Sequence, residues 1–296
     1  VSQVFVNGRF VPRDEARVGA FDAGLMHAVG LFETMAATVT GDAVAVESLD
    51  EHLDRLQASA AELGLSDDLR TGPLGEAVTE TARRSGHERI RLRLTITGGD
   101  LNMLRASGRA AHNPTIIIDA QPATRYPEEM FTKGVMALIA DAKANPLDPT
   151  AGHKTLNYWW RLRELQKAAA KGAGEAIVLQ VSNHLCGGCV SNAFAVRGRT
   201  LLTPIARGEE QEVGGKASIP SPVLPGITRA RVMSEAKKMG LTVERRMMGI
   251  GDLLDADEVF LTNSSWGVLP VTAIEREPVG SGEVGEISKD LRTRLK

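Results

Sequence analysis

From Arg89 to Ile96 the chain alternates without a slip, with Arg89, Arg91, Arg93 and Thr95 on one parity and Ile90, Leu92, Leu94 and Ile96 on the other. Successive strand side chains point to opposite faces, so this run is a half-buried strand with a polar outer face. It commits the chain to a sheet, and further strands arrive in groups around it. Val4-Phe5-Val6 and Arg9-Phe10-Val11 flank Asn7-Gly8, a two-residue hairpin turn in which both positions need φ > 0. Residues 31–39 and 43–46 flank Thr40-Gly41-Asp42 as a second hairpin, and 115–119 reads as another short strand.

Helices fill the gaps between these groups. Ser48 is expected to cap a helix, with Glu51 completing a capping box, and Leu49, Leu53, Leu56, Ala60 and Leu63 line one face up to Gly64. Further helices are expected over 73–84, 158–170, 228–239 and from 288. Strands are expected over 135–140, 176–181, 184–187, 193–197, 200–203 and 259–262. Pro122 and Pro127 stand five apart and read as a linker over 121–127 between a domain over 1–120 and a larger one over 128–296. Grouped strands without regular βα alternation predict an α+β fold.

Composition narrows the function classes. At roughly 150 residues per domain, 296 residues suggest two domains or one large one. With 43% hydrophobic and 24% charged residues the chain is neither disordered nor fibrous. Its 35 basic and 37 acidic residues speak against a nucleic-acid binder. No stretch approaches the roughly 20 apolar residues of a membrane helix, and the first residues do not read as a signal peptide. Two cysteines are too few for a disulfide scaffold, which fits a cytoplasmic protein.

Several local patterns admit chemistry, each beside a plainer reading. Pro225-Gly226-Ile227-Thr228 opens a helix, whose free N–H groups and dipole favour an anion; taken alone, an ordinary helix start is the preferred reading. Thr262-Asn263-Ser264-Ser265 follows an apolar strand and reads either as a second set of anion donors or as a simple turn. Residues 208–216 lack P-loop spacing, and no G-x-G-x-x-G lies between a strand and a helix. Lys154 follows a loop; sheltered, it becomes a nucleophile for imine formation, and solvated it is a surface lysine. Cys186-Gly187-Gly188-Cys189 matches C-x-x-C, but no second pair completes a zinc site, and two small buried or loop thiols are the preferred reading.

Ordered segments then resemble the class IV aminotransferase family, the fold-type IV pyridoxal-phosphate (PLP) enzymes that include branched-chain and D-amino-acid aminotransferases and aminodeoxychorismate lyase. They run from Val6-Asn7-Gly8 through Gly30-Leu31-Phe32-Glu33-Thr34, His52-Leu53-Asp54-Arg55-Leu56, His153-Lys154-Thr155-Leu156-Asn157, Ser191-Asn192-Ala193-Phe194 and Pro225-Gly226-Ile227-Thr228-Arg229 to Asp257-Glu258-Val259-Phe260-Leu261-Thr262-Asn263. The resemblance implies a small α/β domain, a larger pseudo-barrel domain carrying the PLP lysine, PLP between them, and a homodimer. It implies that Lys154 holds PLP and moves the substrate proton. Arg55, Ile227, Thr228 and Ser264 would bind the phosphate, and Ser191 and Asn192 would flank the ring. The implied function is transamination of a small amino acid and keto acid pair, with a lyase-like elimination as the alternative. One departure stands out. The family's glutamate five residues before the asparagine of Ser-Asn, which pairs with the ring nitrogen, is Gly187 here. Three accounts compete: another acid stands in for it, the reaction needs less delocalisation, or the protein binds PLP with little turnover. For a substrate carboxylate, Arg105, Arg125 and backbone groups from loops are all available.

Overall fold

The computed structural model describes residues 3–100, 114–212 and 219–295, and these form two compact units. Arg105 lies outside the described residues.

The first unit comprises residues 1–124 together with 153–157. Its strands are β1 (Gln3–Val6), β2 (Arg9–Pro12), β3 (Gly30–Thr40), β4 (Ala43–Val46), β5 (Arg89–Thr97) and β6 (Ile116–Pro122). They form one antiparallel sheet in the order β2-β1-β6-β5-β3-β4. The β1–β2 turn is the Asn7-Gly8 hairpin, with φ of 48° and 87°. The apolar parity of β5 is buried: Ile90, Leu92, Leu94 and Ile96 are each at most 1% exposed. Helices α2 (Leu49–Glu62) and α3 (Thr71–Arg83) cover that face through Leu53, Leu56, Ala60, Leu74 and Val78. A short helix, α1 (Ala23–His27), is capped by Asp22, whose buried carboxylate also accepts from Thr97 and Thr115.

Two local expectations are corrected. Ser48 makes no capping bond, because it sits at φ 51° in the tight passage from β4 to α2, where its side chain cannot reach the helix N–H groups. β6 runs through Gln121 to Pro122, with Pro122 facing Ile90 at the strand's last position, where the missing N–H costs little.

The second unit comprises residues 125–152 and 158–296. Its sheet runs β12 (Thr242–Arg246), β11 (Thr200–Pro204), β10 (Asn192–Arg197), β13 (Glu258–Asn263), β14 (Gly267–Ile274), β7 (Val135–Ile139), β8 (Glu175–Leu179), β9 (Leu185–Gly188), with β15 (Glu277–Pro278) beside β14. Only the β11–β12, β14–β7 and β7–β8 pairs are parallel. The end strand β9 leads into the central strand β10 through only Cys189–Ser191, so the sheet curls back on itself as a half-barrel. Its inner face packs Ile177, Leu185, Ala193, Leu261 and Leu269. Helix α5 (Trp159–Ala170) packs on β8, and α6 (Ile227–Lys238) and α8 (Glu286–Arg294) cover Phe194 and Phe260, whose rings stack at 5.0 Å. Short α4 (Glu129–Thr132) and α7 (Ile250–Leu254) complete the unit. His153–Asn157, expected in the second domain, belongs to the first unit because it pairs with β3.

Candidate active site

In the first unit Phe32 and Glu33 of β3 point to opposite faces of the sheet. Glu33 turns toward α2 and is 1% exposed. Its carboxylate accepts from His52 Nδ1 at 2.7 Å and from Arg55 Nε and Nη2 at 2.9 and 2.6 Å. His52 and Arg55 stand three apart on α2, one turn of one helix face. Burial alone would raise the Glu33 carboxyl; the Arg55 guanidinium and the His52 bond overcome it and hold it down at about 2. Arg55, expected on a phosphate, therefore has its orientation set by a two-point bond to Glu33.

Lys154 is stitched to the start of β3. Phe32 N donates to Lys154 O at 2.9 Å, Leu156 N donates to Gly30 O at 3.0 Å, and Thr155 faces Leu31 as an antiparallel bridge. β4 pairs only with residues 37–40 of β3, so this segment serves as a separate partner for the other end of that strand. Gly30 makes the approach possible, since a Cβ there would lie 2.8 Å from Leu156 Cδ1 and 2.4 Å from Ile96 O. The Lys154 Nζ stands 4.5 Å from the Phe32 ring centroid, and the Arg93 guanidinium 3.8 Å from the same centroid. Two cations attend one aromatic ring, an arrangement each favours electrostatically.

In the second unit Gly226 caps α6, and the first helical bond is Ala230 N to Gly226 O. The N–H groups of Ile227, Thr228 and Arg229 therefore have no acceptor within the helix, and the positive end of the dipole lies with them. Thr228 Oγ1 and Ser264 Oγ are 3.5 Å apart. Ser264 is held by an Asn263 turn, whose Oδ1 accepts from Ser265 N and Trp266 N. Asn192 lies against the same helix start: a Cβ on Gly226 would be 1.9 Å from its Oδ1, and its Nδ2 donates to Leu224 O. Backbone donors and two hydroxyls converging at a helix N-terminus suit a phosphate. Ile227, Thr228, Ser264 and Asn192 are thus brought together. Ser191 instead donates to Glu175 Oε2 at 2.9 Å.

Glu175 is fully buried and also accepts the N–H groups of Ala176, Cys189 and Val190. Burial pushes its carboxyl upward against those donors. It fixes the Cys189–Ser191 turn, and Gly188 leaves the room, since a Cβ there would sit 2.2 Å from Ser191 Oγ. Gly187 has φ 143°, and a Cβ on it would meet Ser191 O at 2.7 Å. The family's ring-nitrogen carboxylate does not fit this backbone, whereas the phosphate donor set does. Cys186 and Cys189 are buried free thiols, as the plainer reading held. Burial pushes both upward, Cys189 to about 12, which opposes thiolate chemistry. Among the described residues no cluster of acidic, His or Cys side chains suits a metal, and no helix is long and apolar enough to cross a membrane.

Sequence reasoning does not single out Glu33, His52, Arg93 or Glu175. Glu33 and His52 lie inside the family-like segments, but nothing local shows that they meet. Arg93 is hidden in the polar parity of β5, where it looks like a solvated charge. Arg125 is exposed.

The first unit pins a lysine beside a strand, and the second carries a hydroxyl-lined helix start on a curled sheet. Residues 30–274 match the family profile described as amino-transferase class IV. The chain belongs to that family. It is 30% identical to a putative branched-chain-amino-acid aminotransferase of Methanocaldococcus jannaschii, covering 99% of this chain and 95% of the relative. It is also 30% identical to a D-alanine aminotransferase of Bacillus licheniformis, again over 99% and 95%. The crystal structure of a T.th. branched-chain amino acid aminotransferase with pyridoxamine 5'-phosphate superposes with a TM-score of 0.86 at 27% identity, over 99% of this chain and 92% of that one.

Proposed function

We propose that this enzyme is a PLP-dependent aminotransferase for a small amino acid and keto acid pair, working as a cytoplasmic homodimer. The observation that carries the reading is the placement of Lys154, whose backbone is fixed to β3 while its amine stands over the Phe32 ring. Bound PLP supplies an aldehyde for the lysine and a conjugated ring that spreads charge from the substrate carbon. The Lys154 Nζ would take the proton from the substrate's α-carbon and pass it on to the cofactor. The N–H groups of Ile227 and Thr228, with the hydroxyls of Thr228 and Ser264, would hold the phosphate, and Arg55, oriented by Glu33, would bind it too. Arg93, exposed and over the same Phe32 ring, would offer a substrate carboxylate a planar two-point donor. Ser191 and Asn192 would flank the ring, and Glu175 fixes the turn that carries Ser191. The two equally similar relatives are named for different amino acids, so the proposal stops at the substrate class.

Two buried free thiols support a reducing compartment. Exposed Phe21, Leu25 and Met26 support self-association.

The test is a half-reaction with several amino acids. Release of a keto acid with a spectral shift to the aminated cofactor is expected, and borohydride reduction should tag the peptide containing Lys154. Pyruvate from aminodeoxychorismate without that shift would establish elimination instead, and a tag on another lysine would overturn the assignment. The backbone at Gly187 favours a second reading, slow turnover, which predicts a kcat well below the median of about 10 per second for enzymes.

A further inference from the structure

The helix start that carries Ile227 and Thr228 has little apolar anchorage of its own. In the first turn of α6 only Thr228 and Arg229 are buried; Ile227 is half-buried and Ala230 exposed. Apolar anchoring begins a turn later, at Val232 and Ala236. What the first turn has instead is Arg229, 1% exposed and the largest fully buried side chain among the described residues.

Its guanidinium bonds in three directions. Nε donates to Thr203 Oγ1 at 3.2 Å and Nη2 to Pro204 O at 2.8 Å, both at the end of β11. Nη1 and Nη2 donate to Glu209 Oε1 and Oε2 at 2.7 and 2.8 Å, a two-point bond into the loop after that strand. Thr203 Oγ1 passes the link on to Ala193 O of β10, the residue next to Asn192. Glu209 Oε2 also accepts from Ala206 N, closing the loop on itself. Burial works against the Glu209 charge, and Arg229 outweighs it, so the carboxyl stays below its ordinary range.

A buried ion pair is weak evidence for stability, because desolvation offsets much of the attraction; its better-attested use is to fix one geometry. Here the geometry fixed is that of the residues immediately before Arg229. We infer that the Arg229–Glu209 clasp is a positioning device for anion binding, holding the N–H groups of Ile227 and Thr228 and the Thr228 hydroxyl in register with Ser264. The inference rests on the proposed role of that helix start in holding the cofactor phosphate.

The test compares PLP with pyridoxal, which keeps the aldehyde and ring but lacks the phosphate. Apoenzyme affinities for both are measured by absorbance titration, and apoenzyme melting is followed in parallel. Wild type should bind PLP far more tightly than pyridoxal. Arg229→Lys, which keeps the charge but loses the fork, and Glu209→Gln should each cut that preference tenfold or more while leaving pyridoxal affinity within twofold. Val232→Ala, one turn further along the same helix, should lower the melting temperature and leave the preference intact. Equal loss for both ligands in Arg229→Lys, or an unchanged preference in both clasp variants, would overturn the clasp while leaving the phosphate site standing. A wild type that does not distinguish PLP from pyridoxal would overturn the phosphate site itself.

Discussion

Glu33→Gln removes one charge from the buried trio of Glu33, His52 and Arg55 and leaves its shape nearly unchanged. The Glu33 carboxyl lies at about 2 in the folded protein against an ordinary 4.5. That gap corresponds to about 3 kcal/mol of stability. The sign follows from the depressed value: the unfolded chain binds the proton more tightly, so the contribution is complete above about pH 4.5 and is lost as pH falls toward 2. By pH 3 about 2 kcal/mol of it should be gone. In the variant the half-buried Arg55 loses the Glu33 charge, and breaking a buried pair costs about 3–5 kcal/mol at neutral pH. Urea unfolding of both proteins between pH 3 and 7 reads the difference directly, and subtraction cancels the other carboxylates. The expected result is a gap of about 3–5 kcal/mol at pH 7 that narrows by about 2 kcal/mol at pH 3. A gap that stays constant over this range, or one below about 1 kcal/mol at pH 7, would refute the assignment of Glu33 as a buried anion.

Other expectations can be checked alongside. Gly187→Glu should destabilise rather than restore a family feature, because its Cβ would collide with Ser191 O at φ 143°; a cost of about 1–3 kcal/mol in urea unfolding is expected, with no gain in kcat. Thr228→Val and Ser264→Ala should each weaken PLP binding by roughly fivefold, the value of one hydrogen bond, in an absorbance titration. Cys186→Ser should keep near-full activity, and both thiols should resist iodoacetamide at pH 8 until the protein unfolds, since burial holds Cys189 at about 12.

Much of the fold is legible in the sequence because its signals are local. Asn7-Gly8 requires positive φ at two residues, and the hairpin forms there. The β5 parity faces α2 and α3 as its alternation demands. What stays hidden depends on contacts distant in sequence. β14 escapes a sequence reading because Pro270 sits within it; the strand tolerates the proline since its ladder with β7 begins only at Val271. β12 is too polar and α7, at five residues, too short to show a period. Lys154 is legible as preceding a helix, but nothing in 153–157 announces that it pairs with a strand more than a hundred residues earlier. The helix start at Gly226 is visible as a possible anion site, whereas the Arg229 bonds to Thr203, Pro204 and Glu209 emerge only in three dimensions.

The loan of residues 153–157 to the first unit bears on how the chain is made. During synthesis the N-terminal sheet emerges with the leading end of β3 still bare along one edge, and its closing piece leaves the ribosome only after β7 has appeared. A gene fragment stopping at Thr124 would therefore encode a domain with an open seam, and a working excision would have to splice a copy of His153–Asn157 back onto it.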